Sequence, residues 1–162
     1  MRNGLVLASR CSMDRNTVRN TLLAQHDRIR EDVAECRMLA QRLRGGELVD
    51  DELELALSRL RADFDEHNRT ETGLLLPLLL HDSEGRGTRG TLLAERMLEE
   101  HAAEHAVFWD RLDGPRDVVA ANLDELIEDL DAHMSAEERT FLSPVILNDD
   151  VIARVLLDRE RG

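Results

Sequence analysis

Histidines and glutamates recur in this sequence at a spacing that places two side chains on the same face of a helix. Residues 101–105 read HAAEH, residues 67–71 read HNRTE and residues 133–137 read HMSAE. Side chains at positions i and i+4 lie one turn apart, so each pair can reach the same point beside its helix. Two imidazoles at this spacing are a natural metal chelate. A single His–Glu pair is a weaker signal, because such pairs are also common on exposed helix faces.

The apolar residues around these pairs predict four long helices, each with one apolar face. Apolar residues recur every three or four positions in residues 14–44, 50–80, 90–112 and 116–142. On the second of these segments the predicted buried face consists of Leu53, Leu57, Leu60, Phe64, His67, Glu71, Leu74 and Leu78. Gly45 and Gly46 should end the first helix. Pro77 predicts a kink or an early end in the second.

Four amphipathic helices joined by modest loops are typical of an all-α, up-down-up-down four-helix bundle. A short C-terminal helix is predicted at about residues 149–160, after the sequence SPVILNDD. Residues 1–13 are predicted to be a flexible N-terminal tail, and residues 14–162 to form the bundle. No segment shows the strict alternation of polar and apolar residues that indicates a strand.

Five of the six histidines lie on the predicted apolar faces, and each long helix supplies at least one. The candidate ligands on these faces are His26, His67, Glu71, His101, His105, His133 and Glu137. A single inward histidine is more often a hydrogen-bonded core residue than a ligand. Burying two carboxylates and five imidazoles together is costly, however, unless a positive centre or a dense hydrogen-bond network offsets the cost. Because Lys and Arg lie mostly off these faces, a bound metal is the simplest explanation.

The number of candidate ligands favours two metal ions. Seven ligands are too many for one tetrahedral zinc ion. Imidazoles with some carboxylate suit iron, zinc, copper or nickel. Two octahedral ions, joined by two bridging carboxylates and a bridging oxo or hydroxo group, would leave one coordination position open. On a redox metal, dioxygen, nitric oxide or peroxide would bind at that position.

The composition of the chain argues against two classes of binding partner and indicates where the protein is located. The chain has 162 residues, the length of one domain, and a formal net charge of −13. This acidity argues against nucleic acids and anionic membranes, which attract Lys and Arg. Cys11 and Cys36 are too few for a disulfide framework. No apolar run has the length of a signal peptide or a membrane span, so a cytoplasmic protein is expected.

The order of these motifs resembles that of the hemerythrin-like (HHE cation-binding) domain family. His26 is followed by HxxxE, HxxxH and HxxxE segments, and the stretches HNRTETGLLLPLL and HMSAEERTFLSP are similar to the family's HxxxE segments. The resemblance covers residues 17–147 and implies a four-helix bundle that holds two iron ions. It assigns one iron to His101, His105 and His133, the other to His26 and His67, and makes Glu71 and Glu137 the bridging carboxylates.

The fourth motif offers two candidates for the second bridging carboxylate. Oxygen-carrying hemerythrins place this acid five residues after the histidine, which points to Glu138. Glu138 also precedes Pro144 by the same interval as Glu71 precedes Pro77. On a regular helix, however, a residue five positions on is rotated ~140° from the histidine. The HxxxE spacing is also common among bacterial members, so Glu137 is the preferred candidate.

Three functions are compatible with these observations. The first is a non-haem di-iron protein that binds or turns over a small oxidant ligand, including nitric oxide detoxification or peroxide decomposition. The second is iron storage or iron homeostasis, although the ExxH pairs of ferritin-like sites are missing at the candidate histidines. The third is a metal-free helical interaction module. Phe108 is expected either to pack in the core or to form a dry wall beside the open coordination position.

Overall fold

The computed structural model describes residues 14–79, 99, 103–113 and 116–144. Regular secondary structure within these residues is entirely helical, which confirms the all-α prediction. The predicted N-terminal tail, His101 and the predicted last helix at 149–160 lie outside the described residues. None of the described helices has the combination of length and apolar character that crossing a bilayer requires.

Helix α1 spans Arg15–Arg44, and both of its ends follow from the local sequence. The Asp14 carboxylate accepts hydrogen bonds from the backbone N–H and the hydroxyl of Thr17, at 2.8 and 2.7 Å, and so caps the amino terminus. At the other end, Gly45 donates its N–H to the Gln41 carbonyl. Gly46 then adopts a φ of 87°, which a glycine tolerates readily. The predicted end of the first helix is therefore confirmed.

Helix α2 spans Asp50–Thr70 and continues into a wide π-helical turn, Glu71–Leu75. In this turn the Leu76 N–H donates to the Glu71 carbonyl, five residues back. Residues 76–79 are helical again, so the chain does not leave the helix at Pro77. The buried face changes register here: Leu75 and Leu79 are buried, whereas the predicted Leu74 and Leu78 are only partly buried.

Two further helices complete the described structure. Residues 103–112 are helical and are called α3, and helix α4 spans Arg116–Arg139. The apolar side chains form two separate clusters. The larger cluster draws on all four helices and runs from Ile29, Phe64, Phe108 and Met134 towards one end. The smaller one consists of Val18, Leu22, Leu75, Leu79, Phe141 and Leu142.

Helix α1 packs against both α2 and α4. Arg30 and Arg44 of α1 pair with Asp131 and Asp124 of α4, each at 3.0 Å, so later residues of α1 contact earlier residues of α4. The contacts with α2 also run in reverse order, because Gln25 bonds to Thr70 and Glu35 pairs with Arg59. Exposed ion pairs of this kind add little stability individually. Burial of the apolar clusters supplies most of it.

Candidate metal centre

A layer of imidazoles and carboxylates separates the two apolar clusters. On α1, His26 lies between Leu22 of the smaller cluster and Ile29 of the larger one, and all three are completely buried. The chain repeats this arrangement where α2 continues into the wide turn and where α4 ends, with residues of the larger cluster before the layer and residues of the smaller cluster after it. Six of the seven predicted ligands lie in the layer: His26, His67, Glu71, His105, His133 and Glu137. The seventh, His101, lies outside the described residues.

Within this layer, two groups of side chains have the geometry of a metal site. One consists of His26, His67 and Glu137, and the other of His105, His133 and Glu137. In each group the potential ligand atoms all lie within 4.8 Å of one another. Glu137 belongs to both groups, so one carboxylate joins the two halves of the layer.

The two oxygens of Glu137 face different halves of the layer. Oε2 lies 3.1 Å from His26 Nε2 and 3.7 Å from His67 Nε2. Oε1 lies 2.7 Å from His133 Nε2. A carboxylate that bridges two cations through both of its oxygens offers one oxygen to each, and Glu137 has this disposition.

The two oxygens of Glu71 also face different halves of the layer, although they lie farther from the histidine nitrogens than those of Glu137 do. Its Oε1 lies 3.4 Å from His67 Nε2, and its Oε2 lies 3.9 Å from His105 Nε2. The Nε2 atoms of His105 and His133 approach to 2.9 Å. Nitrogen and oxygen donors from α2, α3 and α4 therefore converge around the same two points.

Wide backbone turns follow both of these glutamates. The Glu71 carbonyl accepts a hydrogen bond from Leu76, and the Glu137 carbonyl accepts one from Leu142 at 2.9 Å, five residues on in each case. Such turns are uncommon and occur often at functional sites. Here the irregularity comes after the glutamate, so the spacing from His133 to Glu137 stays that of a regular helix.

This placement separates the two candidates in the fourth motif. Glu137 is buried and belongs to both groups. Glu138 belongs to neither of them and instead lies behind His26, with its Oε1 2.9 Å from His26 Nδ1. The interval to the following proline, which pointed to Glu138, is one residue longer for Glu137 than for Glu71, although a wide turn follows both glutamates.

Two carboxylates outside the predicted ligand set contact candidate ligand histidines at the ring nitrogen that faces away from the layer. Glu138 faces His26 Nδ1 and also pairs with Arg30 at 2.9 Å. Glu104 lies 2.6 Å from His133 Nδ1. The sequence did not predict that Glu104 and Glu138 contact these histidines, because both contacts join different helices. The spacing within HAAEH carries no sign of the Glu104 contact.

The carboxylates change the proton affinity of the groups they contact. Burial alone would lower the pKa of His26, but hydrogen bonds and negative charge from Glu137 and Glu138 outweigh burial and raise it. Burial would raise the pKa of Glu138, but hydrogen bonds from His26 and Arg30 outweigh it and lower that pKa. Glu138 therefore carries its negative charge at neutral pH, and the layer is an environment that favours a cation.

The comparison with protein families agrees with this geometry. The model of the hemerythrin HHE cation binding domain matches residues 17–145. The chain belongs to this hemerythrin family. No curated protein and no solved structure gave a match. Membership confirms the resemblance predicted from the motifs and makes the chain a cation-binding domain. The donor set of this hemerythrin-family domain fits that role, because buried carboxylates and imidazoles are ligands for transition metals.

Aromatic side chains form an apolar wall on one side of the layer of imidazoles and carboxylates. Phe64, one turn before His67, lies with its ring centroid 5.1 Å from that of His105 and 5.8 Å from that of Phe108. Phe108 lies 5.6 Å from His133. Phe108 is buried in the core, as one of the two expectations had it. It also contacts a candidate ligand, and its role as a dry wall beside an open coordination position stays a prediction. The sequence placed Phe64 on the buried face but did not identify it as a neighbour of the site.

A groove between α3 and α4 leads from the surface towards the layer of imidazoles and carboxylates. It is a cavity of about 570 Å³. Its exposed lining consists of small or apolar side chains and two acids, namely Ala103, Val107, Ala132, Ala136, Glu104 and Asp129. Its more buried lining includes Phe108, His133 and Glu137. A small molecule in this groove would therefore contact the half of the layer that contains His105 and His133.

Proposed function

We propose that this hemerythrin-family domain holds a pair of iron ions and binds a small oxidant ligand, namely dioxygen, nitric oxide or peroxide. The observation that carries the proposal is the position of Glu137, which belongs to two ligand groups and offers one oxygen to each. Two ligand groups that share a carboxylate are the arrangement expected for two bridged cations.

The proposed ligand assignment follows these two groups. His26 and His67 would hold one ion, and His105, His133 and His101 the other. Glu71 and Glu137 would bridge the ions, and a bridging oxo or hydroxo group would complete the centre. The division of the Glu71 oxygens between His67 and His105 supports its bridging role.

The charge of the layer also supports a bound cation pair. Glu71 and Glu137 are both buried, and two carboxylates in one apolar interior repel each other and lose hydration. Two divalent or trivalent cations would offset both costs. Imidazole-rich surroundings suit iron among the metals that such ligands accept.

Binding of a small ligand is supported by the surroundings of the layer. An iron pair bound there would supply an open coordination position and redox chemistry. The chain itself provides a route to the layer for the ligand and an apolar wall that excludes water. The groove between α3 and α4 admits a small molecule. Phe64 and Phe108 keep the neighbouring side apolar, which limits hydration and influences redox behaviour.

We also propose the up-down-up-down four-helix topology for this domain. The reversed order of the contacts between α1 and α2, and between α1 and α4, supports antiparallel neighbours. Between α3 and α4 the order is reversed as well, since Glu104 contacts His133 and Arg111 contacts Asp129.

The experiment is anaerobic reconstitution of the metal-free chain with ferrous ion, followed by iron analysis and exposure to each oxidant. We expect a pair of irons for each chain and near-ultraviolet ligand-to-metal charge-transfer bands that shift when azide is added. Iron uptake without any response to dioxygen, nitric oxide or peroxide would favour iron storage or homeostasis instead. A chain that takes up no iron would refute both functions.

A further inference from the structure

We propose that Glu104 and Glu138 are positioning residues that hold His133 and His26 with their Nε2 atoms facing the metal centre. The inference rests on the proposed iron pair and adds two residues, one for each half of it. Both glutamates contact the nitrogen of the ring that points away from the layer. They therefore act on the histidines and do not belong to the ligand groups themselves.

The contacts of Glu104 and Glu138 select the tautomer of each imidazole. A neutral imidazole carries its proton on only one nitrogen, and the hydrogen bond at one nitrogen decides what the other can do. A carboxylate can only accept, so Glu138 receives the Nδ1–H of His26 at 2.9 Å. Glu104 likewise receives the Nδ1–H of His133 at 2.6 Å. Each contact leaves the Nε2 lone pair on the side of the layer, where a cation requires it.

The same contacts fix the orientation of the rings. The Nε2 atoms of His26 and His133 lie 3.1 and 2.7 Å from the two oxygens of Glu137. A ring rotated about its side-chain bonds would lose both its outer and its inner contact. Carboxylates that hold ligand histidines in this manner contribute substantially to metal affinity.

The two positioning residues are held differently. Glu138 is about 30% exposed and is itself fixed by Arg30 at 2.9 Å, and Arg30 also pairs with Asp131 at 3.0 Å. Glu104 is about half exposed and lies at the groove between α3 and α4. His26 is therefore backed by a carboxylate that is itself held by an ion pair with Arg30, whereas the carboxylate that backs His133 lies at the groove.

This difference predicts unequal effects when the carboxylates are removed. Loss of Glu138 would remove the negative charge that contacts both Arg30 and His26. The Arg30 charge, then balanced only from the side of Asp131, would oppose cation binding at His26. Loss of Glu104 leaves no such charge, because no Arg stands behind it among the contacts of the described residues. Glu138→Ala should therefore weaken iron binding more than Glu104→Ala does, and adding Arg30→Ala should restore part of the loss.

The test measures ferrous affinity by chelator competition, together with iron stoichiometry and the melting temperature of each metal-free chain. Glu104→Ala and Glu138→Ala should still bind two irons at saturation, about 10–100-fold more weakly than the wild type. The corresponding Gln variants keep an acceptor oxygen and should bind more tightly than the Ala variants. Asp110→Ala on α3 and Glu128→Ala on α4 remove exposed acids from the same helices and serve as matched controls.

The outcomes separate this inference from the proposed function. If the Ala variants bind iron as tightly as the wild type, or if Gln restores nothing relative to Ala, the positioning roles are wrong. If Glu138→Gln binds only one iron at saturation, Glu138 is a ligand and the inference is also wrong. A wild-type chain that binds no iron refutes the proposed function itself. The metal-free melting temperatures show whether any loss arises from a folding defect.

Discussion

Replacing Glu137 with Gln should remove most of the stabilisation that iron gives to this domain. The Glu137 carboxylate is common to both ligand groups, so a single substitution changes both halves of the centre. Gln has nearly the same shape but lacks the negative charge, and only one of its two terminal atoms can bind a cation. Replacing the neighbouring Glu138 should have a much smaller effect, because Glu138 lies outside both groups.

The size of the effect follows from ligand linkage. A ligand present at 100 times its dissociation constant stabilises the folded state by about 2.7 kcal/mol. Two ions would therefore contribute about 5 kcal/mol. For a chain of this length, 1 kcal/mol moves the melting temperature by about 2–4 °C. We expect iron to raise the melting temperature of the wild type by roughly 10–20 °C, Glu137→Gln to lose most of that rise, and Glu138→Gln to keep most of it.

The assay is thermal unfolding under anaerobic conditions, with and without excess ferrous ion, followed by circular dichroism. Each variant is compared with its own metal-free form, so that the substitution's direct effect on folding cancels. If Glu137→Gln shows the full rise, or if Glu138→Gln is the variant that loses it, the shared-carboxylate reasoning is refuted.

Two further predictions concern regions outside the ligand groups. Burial, together with the neighbouring Asp63, raises the pKa of Asp32 to about 6. The folded chain then binds more protons than the unfolded chain between about pH 4 and 6. The free energy of unfolding should therefore fall as the pH rises through that range. Asp32→Asn should remove this fall and stabilise the metal-free chain at pH 7 by about 1–2 kcal/mol. Urea denaturation from pH 4 to 8 tests this prediction, and identical pH profiles for the wild type and the variant would contradict it. In the groove, Ala132→Trp should slow azide association about tenfold without changing iron content, which corresponds to about 1.4 kcal/mol of barrier. Ala121→Trp, also at an exposed position of α4, is the control, and stopped-flow traces equal for both variants would argue against the groove as the route.

Much of the fold could be predicted from the sequence because the apolar residues keep a helical period over long segments. The end of α1 at Gly45 and Gly46 was predictable for the same kind of local reason. The inward histidines could be located because they occupy positions of that period. These signals are all local, and they concern which side of a helix a residue occupies.

The contacts behind the candidate ligands could not be predicted from the sequence because they depend on how helices are placed against one another. Glu104 meets His133 across two helices, and the sequence separation of 29 residues contains no mark of that meeting. Phe64 was predicted to be buried, but only the packing of α2 against α3 shows that its ring contacts His105. The alternative between Glu137 and Glu138 likewise depended on where the backbone departs from regular helix.

The wide turn after Glu71 explains why the predicted face of α2 went out of register. Steps of four residues on a regular helix overshoot a full turn by ~40°, so His67, Glu71, Leu75 and Leu79 would drift around the helix. A turn closed by a bond to the fifth residue contains more residues and removes that drift. Leu75 and Leu79 therefore stay on the face of His67 and Glu71 and reach the smaller apolar cluster. The turn after Glu137 does the same for Phe141 and Leu142. Each wide turn lets the chain place a candidate ligand in the polar layer and still cover that layer with apolar residues one turn later.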